Sequence, residues 1–405
     1  MRFSHTADCH LGASRDPRLR ALTEEAFARF VTETIAAQVD FTIIAGDLFH
    51  TPIPGIDALK CSVTQLTRLR QANIPVYAIG GSHDASPSGK SILEVLERAQ
   101  LLIDVGKGEE REGVWIPTIT VDPTTGALLT GISGRQGMLD HNRYETFDRT
   151  AIDDPERTIF LVHTAIAEIT DIPGALPARM LPPGCAYYAS GHVHIPSVTD
   201  VPGVGKIGFP GPLFPNSFSE LEELGHGGYL MVENGRATRK PITLARVISI
   251  HIDANGKTPN AVFDEVRERI TQNTTIAGAI LTLRIDGTLG SGSPADLDLR
   301  TIMKEGMALG ALSILRNTAR LTTTELAADE NAPAQAEQDV EDAMLRAHSD
   351  QLTLPGTGID GERLARTLLT VLSREQLDGE KQNEYRDSVV TEALRALEDA
   401  QQKTP

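Results

Sequence analysis

The stretch Ile43-Ile44-Ala45-Gly46-Asp47-Leu48-Phe49-His50 decides how this chain folds. Its first residues continue an apolar run from Phe41, which has the length and β-branched content of a buried strand. Gly46 ends that run, and Asp47 follows directly at the mouth of the predicted sheet. A carboxylate in such a place costs free energy unless it is paired or coordinates a metal ion. The stretch therefore predicts a strand that delivers Asp47 to a polar site.

Four other predicted strands end in the same way, because each apolar run is followed by aspartate or histidine. The runs and the polar residues after them are Phe3 to Ala7 with Asp8 and His10, Ile74 to Ile79 with His83 and Asp84, Thr158 to Val162 with His163, and Ala186 to Ser190 with His192 and His194. In an extended chain, residues two apart project to one side, so each Asp/His or His/His pair should face one point. A lone histidine is more often structural, but this set together predicts that Asp47 bridges two metal ions. Oxygen and imidazole ligands without thiolate favour Mn²⁺, Fe²⁺ or Zn²⁺.

The first hundred residues alternate predicted strands with predicted helices. A helix should start at Asp16-Pro17, and apolar spacing predicts two more over residues 55–71 and 91–100. This alternation indicates a mainly parallel α/β sheet. Later strands are shorter, with hairpin signals at Asp122–Gly126 and Glu233–Gly235, and they predict a second, more antiparallel sheet packed against the first.

The spacing of apolar residues predicts four segments. The first comprises residues 1–242. A smaller α/β module follows over 243–321, with strands at Val247–Ile252 and Ile280–Ile285 around a helix at Ala261–Gln272. Residues 322–358 are acidic and poor in large apolar side chains, which predicts a linker. Residues 359–405 recover helical periodicity in two short amphipathic helices, which we expect to dock on a partner.

The composition predicts a reducing compartment and no membrane span. With 405 residues, two or three domains are expected. The net charge of −17 argues against a surface coated with basic residues for nucleic acid, although it leaves room for a local groove. The three cysteines show no paired spacing, and neither a leader nor an apolar run of spanning length is present. We therefore expect a cytoplasmic protein, associated with the nucleoid if it is prokaryotic.

The strand-end motifs also carry a resemblance. Together, Asp8-Cys9-His10, Gly46-Asp47, Gly81-Ser82-His83-Asp84, His163 and Gly191-His192-Val193-His194 resemble the five signatures of the calcineurin-like metallophosphoesterases. Within that superfamily, Gly46–His50 and Phe209-Pro210-Gly211 resemble the SbcD-type double-strand-break repair nucleases, the meiotic recombination nucleases of archaea and eukaryotes. The resemblance implies a two-sheet metallophosphoesterase sandwich flanked by helices, with a small α/β capping domain over 243–321 and C-terminal helices.

The resemblance also implies a role for each residue. One metal would be held by Asp8, His10, Asp47 and His194, and the other by Asp47, Ser82, His163 and His192. His83 would be the catalytic histidine, oriented by Asp84, while His50 would help to engage the phosphate. Ser82 departs from the family pattern, which most often has asparagine there, and its hydroxyl is a shorter and weaker ligand.

The resemblance thus implies a DNA exonuclease with endonuclease activity, dependent on two divalent ions, Mn²⁺ by expectation. Its substrates would be double-stranded ends and single strands. It would be a homodimer formed through the helices at 55–71 and 91–100, and residues 359–405 would dock on an SbcC-type coiled-coil ATPase. Two alternatives stay open from the residues alone: a small-substrate phosphodiesterase or phosphatase, and a non-catalytic scaffold for DNA ends.

Overall fold

The computed structural model describes residues 1–85, 91–134 and 141–323, together with Thr367 and Val371. The chain divides into two compact units, Met1–Leu321 and Thr322–Pro405. Apart from Thr322, Thr323, Thr367 and Val371, the predicted acidic linker and both C-terminal helices lie outside the described residues.

The described residues contain eighteen strands. In chain order they are β1 (Arg2–Thr6), β2 (Phe41–Ala45), β3 (Val76–Ile79), β4 (Ile103–Asp104), β5 (Gly108–Arg111), β6 (Val114–Pro117), β7 (Thr120–Val121), β8 (Leu128–Ile132), β9 (Thr158–His163), β10 (Tyr187–Gly191), β11 (Ser197–Val201), β12 (Gly205–Phe209), β13 (Gly227–Glu233), β14 (Arg236–Ile242), β15 (Val247–Asp253), β16 (Ile280–Leu289), β17 (Ser313–Asn317) and β18 (Leu321–Thr323).

Helices begin where the sequence places capping residues. Asp16 caps the first helix by accepting from the Arg18 N–H, with proline at the next position, and Ser91 caps a later one. The predicted helices at 55–71, 91–100 and 261–272 are confirmed, each with its start within two residues. The helices are α1 (Pro17–Ala36), α2 (Ile56–Gln71), α3 (Ile92–Arg98), α4 (His141–Thr146), α5 (Phe218–Leu224), α6 (Pro259–Thr271) and α7 (Leu299–Ala308).

The first sheet has the strand order β14-β13-β1-β2-β3-β4. Its β1, β2, β3 and β4 are parallel, as the strand–helix alternation predicts. The Glu233–Gly235 hairpin is also confirmed: Asn234 and Gly235 both have positive φ, and Glu233 pairs with Arg236. However, this hairpin joins the first sheet, because β13 pairs antiparallel with β1.

The second sheet has the order β11-β12-β10-β9-β8-β7. The expectation that it is more antiparallel than the first sheet is wrong, because β8, β9, β10 and β12 are parallel neighbours and each sheet has two antiparallel pairings. Only the edge strands β7 and β11 run antiparallel to their partners. The Asp122–Gly126 turn does form a hairpin, between β7 and β8.

The two sheets face each other across an apolar core. Alternate residues of β2, including Phe41, Ile43 and Ala45, point into this core, where they meet Leu161 and Ala189 of the second sheet. Ile44, between them, faces the opposite way and packs in the core that holds buried residues of α1, α2 and α3. The fully buried strand β2 is therefore covered on both faces, which explains its continuous apolar sequence.

Residues 247–321 form a third sheet with its own apolar core. The strands β15, β16 and β17 are parallel, with β16 at the centre, and α6 and α7 supply buried residues to that core. Ile280 and its neighbour Val247 instead pack in the core that covers the first sheet. This shared packing places residues 1–242 and 243–321 in one compact unit.

The parallel strands determine where the predicted site residues lie. The carboxyl ends of parallel neighbours meet at one edge of a sheet, so the loops after β1, β2 and β3 are adjacent, as are those after β9 and β10. Among the described residues, no helix is long and apolar enough to cross a membrane.

The inter-sheet core makes a prediction about stability. Replacing the fully buried Ile43 with alanine should cost about 2–5 kcal/mol, because it leaves a cavity between two sheets that cannot close over it. The matched control is Ile56→Ala on α2, where the isoleucine is 77% exposed and the change should stay within about 0.5 kcal/mol. Urea unfolding followed by the fluorescence of Trp115, the only tryptophan, would measure both. Equal midpoints for the two variants would contradict the packing described above.

Candidate metal centre

The predicted site residues converge at the carboxyl ends of the strands. Seven of the ten belong to groups whose ligand atoms lie within 4.8 Å of one another, and the other three, Ser82, Asp84 and His192, border those groups. The groups are Asp8, Asp47 and His163; Asp8, His10 and His194; and His10, His50 and His83.

Asp8 and His10 reach the site through a conformation that spacing did not predict. Their φ angles are 50° and 44°, and that of His192 is 82°, so the backbone is left-handed at these positions and not extended. The loop is held against its neighbour, because the Asp8 N–H donates to the Gly46 carbonyl at 3.1 Å and the His10 N–H to the Asp47 carbonyl at 3.0 Å. The prediction that each pair lies on one face of an extended chain is therefore wrong about the backbone, although the residues do come together. Left-handed residues other than glycine cost free energy and cluster at functional sites.

Asp47 lies at the centre of the cluster, with a φ of 51° and almost no exposure. One carboxylate oxygen is 3.1 Å from His163 Nε2 and 3.9 Å from His10 Nε2. The other oxygen accepts from the His83 N–H at 2.8 Å. This carboxylate thus contacts residues at the ends of β1, β3 and β9, as expected for a bridging ligand.

Glycines allow the loops to approach Asp47 and His163 this closely. A Cβ on Gly46, whose φ is +90°, would overlap the His163 imidazole. A Cβ on Gly81 would overlap both the backbone nitrogen and the carboxylate of Asp47. The adjacent Gly80 has ordinary room, since its nearest contact would be Leu93 at 3.5 Å. Glycine is therefore required at position 81 and not at position 80.

His163 is held in one tautomer by the backbone. Its Nδ1–H donates to the Ala45 carbonyl at 2.8 Å, which leaves Nε2 facing Asp47 at 3.1 Å and Asp8 at 4.0 Å. Burial lowers the pKa of this imidazole, but Asp47, Asp8 and the Ala45 carbonyl together outweigh burial and raise it to about 9. The ring is therefore placed to offer Nε2 either to a proton or to a cation.

His194 is held by a carboxylate that strand-end spacing does not reveal. Glu220 Oε1 is 2.9 Å from His194 Nδ1, and His194 Nε2 lies 3.2 Å from His10 Nε2 and 3.6 Å from Asp8. Burial opposes the charge on both partners, yet Asp8 and Glu220 together raise the pKa of His194 to about 10, and His194 lowers that of Glu220 to about 2. The available signal was Ser217-x-x-Glu220, a helix-start pattern that places Glu220 in the first turn of α5.

His192 contacts the cluster through its backbone N–H. Its N–H donates to both oxygens of Asp8, at 3.0 and 3.2 Å. His192 is exposed to solvent, and its ring centroid lies 5.4 Å from that of His163. The structure thus places the His192 ring at the outer side of the cluster.

His83 and His50 lie stacked beside His10, with ring centroids 5.0 Å apart. The expectation that Asp84 orients the His83 ring is wrong. His83 Nδ1 is 2.8 Å from the His50 carbonyl, whereas the Asp84 carboxylate accepts from the backbone N–H groups of Leu48, Phe49 and Gly81 at 3.0–3.2 Å. Asp84 therefore joins the β2 and β3 loops, because a buried carboxylate is better satisfied by three N–H donors than by one ring.

Ser82 contacts Asp47 directly. Its hydroxyl donates to Asp47 Oδ2 at 3.4 Å, which is a long hydrogen bond. In this arrangement the hydroxyl oxygen lies next to the carboxylate that would bridge the ions. Ser82 is thus placed at the predicted second site.

The cluster fits divalent metal ions. Asp8 and Asp47 are buried, and although burial alone would raise their pKa values, nearby histidines lower both. Every ion pair that the described residues give these two carboxylates is with histidine. His163 Nε2 and His10 Nδ1 are buried atoms without a well-formed hydrogen bond among the described residues. Two buried anions surrounded by imidazole nitrogens have the donor chemistry that divalent transition metals prefer.

Comparison with known proteins agrees with this donor set. Residues 1–196 match the family model described as calcineurin-like phosphoesterase. Two similar proteins are the DNA double-strand break repair proteins Mre11 of Archaeoglobus fulgidus, 28% identical over 52% of this chain and 49% of that protein, and of Methanopyrus kandleri, 31% identical over 55% and 51%.

Another similar protein is the SbcD component of the nuclease SbcCD from Rhodobacter capsulatus, which is 27% identical over 64% of this chain and 73% of that protein. The chain spans about half the length of the two Mre11 proteins that it matches. The part of this chain that carries the predicted metal ligands, residues 1–196, belongs to the calcineurin-like phosphoesterase family.

Proposed function

We propose that this chain is a Mn²⁺-dependent DNA nuclease that processes double-stranded ends and single strands during double-strand-break repair. The observation that carries the proposal is two adjoining groups of ligand atoms, Asp8 with His10 and His194 and Asp8 with Asp47 and His163, in a chain similar to Mre11 and SbcD proteins. We further propose that it acts as a homodimer with an SbcC-type coiled-coil ATPase, at the nucleoid if it is prokaryotic. Residues 243–321 would then cap the nuclease domain, and 359–405 would dock on the ATPase.

The residues divide into those that would hold ions and those that would act on the substrate. Asp8, His10, Asp47 and His194 would hold one divalent ion, and Asp47, Ser82, His163 and His192 the other. When bound, such a pair of ions stabilises the charge on a phosphodiester and lowers the pKa of the attacking water. Asp47 would be shared between the ions because its carboxylate contacts residues from both sheets.

His83 would transfer a proton in this mechanism. The His50 carbonyl accepts from Nδ1–H, so Nε2 is the ring nitrogen that would meet the substrate, and the His10 ring lies beside it with a centroid distance of 4.8 Å. From there, a protonated Nε2 would donate to the departing oxygen of the phosphodiester. His50 would assist by stacking on His83 and by contacting the phosphate.

The substrate class is the first test. With Mn²⁺, the purified chain should degrade end-labelled duplex and single-stranded DNA. Chelation with EDTA should abolish cleavage, because the side chains without the ions supply no Lewis acid. Cleavage should be salt-sensitive, since phosphate contacts release counterions. The controls are a cyclic nucleotide and a simple phosphate monoester. Rapid turnover of either control, without DNA cleavage, would identify a small-substrate phosphoesterase instead.

A second prediction separates the proton donor from the ligands. His83→Ser should lower the rate of DNA cleavage on the order of a hundredfold, because it removes a general acid, while Mn²⁺ binding measured by calorimetry stays unchanged. His251→Ser is the matched control, since His251 is an exposed residue of β15 paired with Asp286. Cleavage by His83→Ser at the rate of the unmutated chain would remove His83 from the mechanism.

A third prediction uses the adjacent glycines. Gly81→Ala should weaken Mn²⁺ binding and cleavage at least about tenfold, because its Cβ would overlap the Asp47 backbone and displace the bridging carboxylate. Gly80→Ala should leave both near the original values, since its nearest contact is at 3.5 Å. Calorimetric titration with Mn²⁺ compares the two. If both variants bind Mn²⁺ equally well, Asp47 is not the ligand that the geometry indicates.

A further inference from the structure

The short helix α5 contacts both the metal centre and the third sheet. Its N-cap Ser217 accepts from the Glu220 N–H at 3.2 Å, and Leu221 is buried in the core that covers the first sheet. Glu220 and Glu222 are two residues apart, so they leave the helix on different sides. One of them faces His194, and the other faces β16.

Glu220 is fixed at both of its oxygens. Oε1 is 2.9 Å from His194 Nδ1, and Oε2 accepts from the Asn216 N–H at 2.8 Å. A carboxylate on Nδ1 selects the tautomer and the rotation of the ring, and so directs Nε2 toward Asp8, 3.6 Å away. Any shift of α5 would therefore turn the imidazole of a proposed ligand.

Glu222 ties the same helix to the third sheet. Arg284 of β16 donates to Glu222 Oε2 from Nε at 3.0 Å and from a terminal nitrogen at 2.5 Å. The guanidinium also lies over the ring of Phe218, the first residue of α5, with its carbon 5.0 Å from the ring centroid. Because the planar Arg284 guanidinium is both paired with Glu222 and stacked on Phe218, it holds the Glu222 carboxylate in one geometry more firmly than a lysine would.

We propose that Arg284 controls the affinity of the metal centre through α5. By holding Glu222 and Phe218, it positions Glu220, which in turn orients His194 toward the ion. Glu220 is thus a positioning residue, and the third sheet tunes the site without supplying a ligand. The proposal rests on the proposed function only in requiring that His194 binds a metal ion.

The test is calorimetric titration of the full chain with MnCl₂ alone, without DNA. Glu220→Gln should weaken one of the two sites by about 10–100-fold, the cost usual for losing such a carboxylate. Arg284→Gln should weaken the same site by a smaller factor and leave the other site unchanged. The double variant should be no weaker than Glu220→Gln, because Arg284 acts through Glu220 and residues that act in series are not additive.

Ser313→Ala is the control for a general loosening of the third sheet. Ser313 on β17 donates to Oδ2 of Asp16, the N-cap of α1, at 2.7 Å. This hydrogen bond is a second link between the third sheet and the rest of the unit, and it does not involve α5. Its loss should leave both Mn²⁺ affinities unchanged. Glu222→Gln repeats the test from the other end of the ion pair in case Arg284→Gln folds poorly, which the urea midpoint of Trp115 fluorescence reports.

Two results would overturn this proposal alone. Unchanged affinities in both Arg284→Gln and Glu222→Gln, or fully additive effects of Arg284→Gln and Glu220→Gln, would show that α5 carries no coupling, while the proposed nuclease function would stand. Failure of the unmutated chain to bind Mn²⁺ would instead overturn the proposed function and this inference together.

Discussion

The arrangement of this protein depends on one electrostatic constraint: two buried carboxylates, Asp8 and Asp47, without a lysine or arginine among the ion pairs that the described residues give them. Isolated anions are too costly to bury, so positive charge must come from protonated histidines or from bound cations. The pKa values of His163 and His194 are raised because nearby carboxylates favour their protonated forms. The same histidines that neutralise the carboxylates are therefore those that would share them with a metal ion.

The constraint also explains why the fold needs two sheets with parallel centres. Asp8 and Asp47 follow strands of the first sheet, whereas His163 and His194 lie at or beyond the ends of strands of the second. Only a sandwich whose parallel strands end at the same edge brings these residues together. Gly81, Gly46 and the left-handed backbone of Asp8 then close the remaining distance. The free-energy cost of glycines and of left-handed backbone at these positions is offset by the apolar core between the sheets.

Much of this was predictable from the sequence. Strand ends followed by charged residues located the cluster, and the Asp16-Pro17 signal located the start of α1, because both signals are local. The parallel pairing of the second sheet was not predicted, since short strands carry no local mark of their partners. The position of Asp84 and the role of Glu220 were also missed, because hydrogen bonds across 35 or 26 residues depend on how the loops meet. Spacing found residues that the structure brings together, even where it gave the wrong backbone conformation.

Because the proposed ligands come from different sheets, ion binding and folding must be linked. The unfolded chain cannot present Asp47 and His163 together, since His163 lies 118 positions beyond Ala45, the residue whose carbonyl holds its ring in the folded chain. An ion that binds only the folded chain stabilises it by about 2.7 kcal/mol when its concentration is about a hundred times its Kd. That free energy would act across the sandwich, because the proposed ligands of the ion come from both sheets. With ions bound, the candidate metal centre would thus stabilise the fold as well as serve its chemistry, and α5, which contacts His194 through Glu220, would share in that stabilisation.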